Sequence, residues 1–335
     1  MRIVATLLLL TAVCPAQAEE TASMLVTIDN FVRAETDTYF AGFVKDGALG
    51  RFVHARALAG IDEQSIVRMN RDTVYSRGLF DLDAGPVTVT LPDSGGRFLS
   101  LMVLNEDHYA LDTFYAPGTH RFTREAAGTR YLALLVRTFV NPADPADLAK
   151  VHALQDAIRV EQASPGRFEA PQWDVASLTS VREELKKTTA VDPSKAFGRP
   201  GEVDPRQHLL GTAFGWGGNP PKDATYVAGR PEGDDGKTVY RLTVKDVPVD
   251  GFWSISVYNK DGYFEPNPEN AYSLNNVTAK QDADGAYVIQ FGGCGAGVAN
   301  CLPITPGWNY TVRLYRPRAE ILDGRWKFPE PVPVG

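Results

Sequence analysis

Phe252-Trp253-Ser254-Ile255-Ser256-Val257-Tyr258-Asn259-Lys260-Asp261-Gly262 sets Trp253, Ile255 and Val257 against Ser254 and Ser256 and then runs into an Asp-Gly turn. A period of two marks a strand with one buried face, and Asp-Gly is a hairpin-type turn. The same grammar recurs on both sides of this stretch. Lys237 to Lys245 reads as a strand, Asp284-Gly285 as a turn before the strand Ala286 to Phe291, and Trp308 to Tyr315 as a strand with Tyr310, Val312 and Leu314 on one face. Many short strands separated by turn signals point to a β-sandwich or jelly roll.

Upstream, Pro86 to Pro92 alternates apolar and polar residues, Asp93-Ser94-Gly95-Gly96 is a turn, and Arg97 to Leu104 returns with Leu99, Leu101 and Val103 on one face. Tyr131 to Val140 is nearly continuous in apolar residues, as a strand buried on both faces would be. Helical spacing appears in three places. Between Glu20 and Val44, Leu25, Ile28, Phe31, Val32 and Tyr39 form a stripe, with Asp29, Arg33 and Asp37 off it. After Asn141-Pro142, Asp144 is an N-cap and Pro145 a first helical residue, with Leu148, Val151, Leu154 and Ile158 as the apolar face. A third helix spans Val175 to Thr188, with Leu178, Val181 and Leu185 inward. Asp192 to Pro205 reads as a connection rich in Pro and Gly, and the tail from Pro329 as an extended surface segment. The expected fold is α+β, mainly β: β-sandwich or jelly-roll-like halves with an N-terminal helix and a central helical segment. Its units are a signal peptide over 1–18, an N-terminal helix and β half over 19–142, a helical connection over 143–200, and a C-terminal β-sandwich half over 201–335.

Composition bounds the function classes. Of 335 residues, 44% are hydrophobic and 10% aromatic, which is ample for a packed core and too much for a disordered chain. A formal net charge of −7, from 34 Lys+Arg against 41 Asp+Glu, argues against a nucleic-acid binder and gives no polybasic attraction to anionic membranes. Met1 and Arg2, the apolar run Ile3 to Val13 and the small-x-small Ala16-Gln17-Ala18 read as a signal peptide cleaved after Ala18. No later stretch has the roughly 18 uninterrupted apolar residues of a membrane span. The expectation is a soluble exported protein, periplasmic or secreted. A lipoprotein modified at Cys14 is disfavoured by the bulky Val13 before it, and a buried N-terminal helix is the remaining alternative. In an oxidising compartment the pair Cys294 and Cys301 reads as a local disulfide across a Gly-rich loop, worth about 2.5 kcal/mol in the chain-entropy model. A metal site there would lack further ligands.

The familiar catalytic signatures are absent: no Gly-x-Ser-x-Gly, His-Glu-x-x-His, Gly-x-x-x-x-Gly-Lys or Cys-x-x-Cys occurs, and the five histidines show no metal-ligand spacing. Three polar clusters stand out instead. They are Arg68 to Arg77, Asn105-Glu106-Asp107-His108-Tyr109 and Tyr258 to Tyr272. The last mixes aromatics, which pack on sugar C–H faces, with amides and carboxylates, which bond hydroxyls.

These clusters carry a resemblance. Asn70-Arg71-Asp72-Thr73-Val74-Tyr75-Ser76 and Leu91-Pro92-Asp93-Ser94-Gly95-Gly96-Arg97-Phe98 resemble segments of the bacterial domain-of-unknown-function family 1254. Phe252 to Tyr263, Pro266-Asn267-Pro268, Arg313-Leu314-Tyr315-Arg316-Pro317 and Leu322-Asp323-Gly324-Arg325-Trp326 resemble the companion family 1214. The resemblance implies exported or envelope-associated proteins built from β-sandwich halves, with no settled activity.

Two functions remain open. The first is a periplasmic hydrolase or lyase acting on a polar, carbohydrate-like substrate. In it Asp107 or His108 would transfer the proton, with Arg71 or Arg77 steadying a developing negative charge. The second is a non-catalytic binding or scaffold module for a small polar ligand or glycan. In either, Asn70, Asp72, Tyr75, Arg77, Asn105, Tyr109, Tyr258, Asn267 and Tyr272 are the candidate ligand contacts. No cofactor or metal is indicated, although oxygens of Asp72, Asp107 or Asn105 could meet a divalent cation without calcium-loop spacing. A homo-oligomer is compatible with either function.

Overall fold

The computed structural model describes residues 23–64, 67–142, 144–187 and 191–334, so the leader read over 1–18, Cys14 included, lies outside the described residues. In chain order the elements are α1 (Phe31–Lys45), β1 (Val53–His54), β2 (Thr73–Asp81), β3 (Val87–Leu91), β4 (Leu99–Asn105), β5 (Ala110–Tyr115), β6 (Gly118–Phe122), α2 (Arg124–Ala127), β7 (Tyr131–Phe139), α3 (Pro145–Asp156), β8 (Arg159–Glu161), α4 (Val175–Lys186), α5 (Pro193–Ala196) and α6 (Pro205–Gly215). There follow β9 (Ala224–Gly229), β10 (Tyr240–Val244), β11 (Trp253–Tyr258), β12 (Ser273–Asn275), β13 (Tyr287–Phe291), β14 (Cys301–Leu302), β15 (Asn309–Tyr315), α7 (Ala319–Leu322) and β16 (Val332–Pro333). The chain is mainly β, and its sheets are open and almost wholly antiparallel, as the alternating runs require.

In the N-terminal half a five-stranded sheet in the order β1-β2-β7-β4-β5 faces the smaller sheet β6-β3-β8. Phe80, Leu101, Val103, Leu132, Leu134 and Val136 of the first sheet interlock with Val87, Val89 and Leu91 of the second. The other face of the large sheet is covered at one end by helices, where Phe40 of α1 packs on Leu79, Met102, Leu104 and Ala133, with Trp216 beside them. In the C-terminal half the sheets β14-β13-β10-β16 and β12-β11-β15-β9 form a sandwich. Its core joins Trp253, Ile255 and Val257 to Leu242, Ile289, Phe291, Val312 and Leu314. The Pro-rich tail contributes β16 to the edge of β10, with Arg241 opposite Val332. Cys294 and Cys301 form a disulfide.

Two readings are corrected. The N-terminal helix begins at Phe31, and its inward face is Phe31, Ala34, Glu35, Asp37 and Phe40, while Leu25, Ile28 and Tyr39 are exposed. Asp37 can turn inward because the Trp173 indole N–H donates to it at 2.9 Å. The connection read over Asp192 to Pro205 contains a short helix, α5, and leads into α6, which occupies the start of the span read as the C-terminal sandwich and is capped by Asp204, whose side chain accepts from the Gln207 N–H at 2.9 Å.

Candidate functional site

Alternation along β11 and β15 turns one set of side chains into the sandwich and the other away from it. In register the outward set forms the rows Asn275–Ser254–Arg313–Tyr226 and Ser256–Thr311. A solvent-facing sheet would leave these polar groups wet, yet Ser254, Ser256 and Asn275 are fully buried and Arg313 is nearly so. The N-terminal half covers them. Arg313 donates to the backbone carbonyls of Arg68 (2.7 Å) and Met69 (3.2 Å), to Ser256 Oγ (2.9 Å) and to the Tyr258 hydroxyl (2.7 Å). Tyr258 in turn donates to the Met69 carbonyl, and Asn70 Nδ2 donates to the Tyr315 hydroxyl at 2.8 Å. Asn275 Nδ2 donates to Asp72 Oδ1 at 3.3 Å. Burial pushes the Asp72 carboxyl up from its ordinary range, partly offset by the charge of Arg313. An apolar patch of Phe98, Phe139, Phe252, Ala224 and Tyr315 completes this seam.

Along the N-terminal sheet, Tyr75, Arg137, Ser100 and Tyr115 stand in one row, and Arg77, Leu135, Met102 and Thr113 in the next. Arg137 lies with its guanidinium carbon 5.4 Å over the Tyr75 ring and donates to Asn219 Oδ1 at 2.9 Å. Asn219 Nδ2 donates to the Tyr226 hydroxyl at 2.8 Å. Arg77 donates to Asp46 at 2.6 Å and marks the floor of a groove walled by α1, α4 and α6, with a volume of about 920 Å³. This lies within the usual range for small-ligand sites. Aromatic rings line one side: Tyr39 and Trp216 stack at 4.2 Å and 7°, and Phe43 and Phe214 flank them. Charged groups line it as well. Arg182 forms a two-pronged pair with Glu35, and Lys186 stands one turn further along α4.

The stack is anchored from beneath. Trp216 lies against the buried His108 ring (5.6 Å, 23°). His108 Nδ1 meets the Thr212 hydroxyl at 2.8 Å, and because that hydroxyl already donates to the His208 carbonyl, Nδ1 carries the proton. Nε2 then accepts from the Gly217 N–H at 2.8 Å. Burial holds this imidazole well below its ordinary pKa, so it stays neutral. Gly217 sits at φ 75°, and a Cβ on Gly218 would fall 2.4 Å from the Phe197 ring, so the turn after α6 is pinned from both sides.

Residues 49–162 match the family described as Protein of unknown function (DUF1254), and residues 224–319 match Protein of unknown function (DUF1214). The chain joins a DUF1254 segment to a DUF1214 segment. Among solved structures, the VPA0106 protein from Vibrio parahaemolyticus is 20% identical with a TM-score of 0.72, covering 92% of this chain and 98% of that one. It shares the fold. An uncharacterized protein from Burkholderia cenocepacia is 16% identical with a TM-score of 0.49, covering 91% of this chain and 86% of that one. No curated protein matches the chain. No helix among the described residues is long and apolar enough to cross a membrane.

Of the three clusters read from sequence, the structure joins the DUF1254 cluster around Asn70 to the DUF1214 cluster around Tyr258, and leaves the third apart. Arg71 lies 5.5 Å over the Tyr272 ring and donates to the Ala59 carbonyl. Asn267 closes its own loop, accepting from the Ala271 N–H at 3.0 Å and donating to the Glu265 and Ala271 carbonyls. The crevice between Tyr258, Asn267 and Tyr272 holds only about 10 Å³, no more than a single water. The Asn105–Tyr109 turn sits at the far end of the large sheet, five residues along β4 from Ser100, or roughly 17 Å. There Asn105 Oδ1 accepts from the Asp107 and Tyr109 N–H groups, Asp107 pairs with Arg33, and Tyr109 stacks on His208 at 4.4 Å. Asp107, His108 and Arg71 therefore do not converge, because the turn that carries the first two serves to brace α1 and α6. For the same reason Asp72, Asp107 and Asn105 do not share a place to meet one cation.

The residues that line the seam and the groove without having been singled out are Arg313, Tyr315, Arg137, Asn219 and Tyr226, with Tyr39 and Trp216. Arg313 and Tyr315 were visible as the polar positions of an alternating strand, and as part of the DUF1214 pattern.

Proposed function

We propose that the protein is exported and binds a small polar, carbohydrate-like ligand in the groove between α1, α4 and α6, without turning it over. The stacked Tyr39–Trp216 pair carries this reading: a flat aromatic surface, its outer ring 42% exposed, beside charged hydrogen-bonding groups on Arg77, Arg182, Glu35 and Asp46. Rings of this kind pack against the C–H face of a sugar while the charged groups take its hydroxyls. Binding is favoured over acid–base catalysis because Asp107 is held in an ion pair with Arg33 and His108 is a buried neutral brace. Export is supported by the leader grammar of residues 1–18 and by the Cys294–Cys301 disulfide, which persists in oxidising compartments.

Isothermal titration of the mature protein against a panel of neutral and acidic oligosaccharides tests the binding. We expect at least one saturable ligand, whose affinity falls about tenfold in Tyr39→Ala, the equivalent of about 1.4 kcal/mol. A panel without binders, or a ligand bound equally by Tyr39→Ala, would overturn the reading. Terminal sequencing of the protein recovered from the cell envelope should begin at Glu19, and recovery of an intact Met1 terminus in the cytoplasm would refute export.

A further inference from the structure

Arginines that the fold draws inward are mostly matched by carboxylates: Arg97 by Asp147, Arg130 by Asp81 and Arg182 by Glu35. Arg137 is not. Among the described residues no carboxylate lies within ion-pair distance of Arg137, and the groups it faces are the phenols of Tyr75, to which it is hydrogen-bonded, Tyr226 and Tyr315. An inward cation without a counterion is costly, by several kcal/mol when fully desolvated.

The neighbours are arranged as donors. Asn219 Nδ2 donates to the Tyr226 hydroxyl and Asn70 Nδ2 to the Tyr315 hydroxyl, each at 2.8 Å. Having accepted, each hydroxyl keeps its own proton, and neither donates to an acceptor among the described residues. The N–H groups that Arg137 does not give to Asn219 and Tyr75 thus gather at the seam with two free O–H groups, a set complementary to an oxyanion. Tyr226 is 42% exposed, so the cluster reaches solvent. The field is felt locally: burial pushes the Tyr75 phenol up, and the charge of Arg137, hydrogen bonds with Thr73 and Arg137 and the charge of Arg313 together reverse this, leaving it below its ordinary range.

We propose that Arg137, Tyr226 and Tyr315, held by Asn219 and Asn70, form a binding site for a small oxyanion, the acidic group of a carboxylate or phosphate ligand. This site is separate from the groove and does not depend on what the groove binds.

Thermal unfolding of the mature protein, with acetate or phosphate exchanged for chloride at constant ionic strength, provides the test. A saturable rise in midpoint in the millimolar range is expected with at least one anion, and the better of the two identifies the ligand's acidic group. Arg137→Gln should abolish the rise. Tyr226→Phe, which removes the hydroxyl together with the acceptor of Asn219 Nδ2, should weaken the anion by about tenfold. If Arg137→Gln does not fold, Tyr226→Phe decides. Tyr39→Ala should leave the anion effect intact even where it weakens saccharide binding. The proposal fails if neither anion gives a saturable shift, or if Tyr226→Phe responds like the unaltered protein. It also fails if phenolate absorbance that Tyr75→Phe removes is already present near neutral pH, since Tyr75 would then be the counterion itself.

Discussion

Asp37 sits at 2% exposure on the inward face of α1, with Trp173 donating to Oδ2 while Oδ1 has no partner. Burial pushes its carboxyl up to about 7, Trp173 resists this, and the nearby Glu106 carboxylate adds to the rise. The folded state therefore binds this proton more tightly than the unfolded chain does. Its contribution to stability is complete at pH below about 4, declines as pH rises, and is lost above about 7. Asp37→Asn keeps the acceptor for Trp173 and removes the charge. Urea unfolding should show the variant more stable than the parent by on the order of 2–4 kcal/mol at about pH 8, with the difference vanishing at about pH 4. An equal difference at both pH values would mean that Asp37 is not the titrating group.

At the scale of elements, α6 shows both how much could be read and where reading stopped. Its start was written in the sequence as Asp204-Pro205, the same signature that correctly opens α3 at Asp144-Pro145. Its interior hid it, because Gly211 breaks the apolar pattern. That glycine is required by closeness, since a Cβ there would come within 2.8 Å of the Ala196 side chain. The strands were legible throughout, because period two survives wherever one face is buried. The role of His108 was not, because its partners Thr212 and Gly217 lie more than a hundred residues away. The clamp they form makes a definite prediction. Thr212→Val preserves shape but strips the acceptor from the His108 Nδ1–H, leaving a buried donor unsatisfied at a cost of about 1–3 kcal/mol. Urea unfolding should register this loss. The turn carrying Trp216 should loosen with it, raising amide exchange at Gly217, and unchanged exchange there would show that the imidazole does not hold the turn.

For the whole molecule, alternation along β11 and β15 told which side chains leave the sandwich core, but not that a segment some 245 residues away lies over them. Every polar row of that sheet would serve equally well facing water, so only the assembled chain reveals that Ser254, Ser256 and Arg313 belong to a seam. The seam is held by two kinds of contact, the Arg313 hydrogen bonds and the aromatic patch of Phe98, Phe139, Phe252 and Tyr315. They can be separated experimentally. Arg313→Leu takes a donor from the Arg68 carbonyl, Ser256 and the Tyr258 hydroxyl and leaves the Met69 carbonyl with Tyr258 alone, and removing one member of a buried polar network costs about 3–5 kcal/mol. Since the groups it frees lie on both halves, their coupling should weaken along with overall stability. Calorimetry should then resolve two unfolding transitions where the parent shows one, while Ser256→Ala, which removes a single acceptor, shifts the midpoint and keeps one transition. A single transition in Arg313→Leu, displaced no further than in Ser256→Ala, would place the coupling in the aromatic patch. Phe252→Ala would then be the substitution that parts the halves.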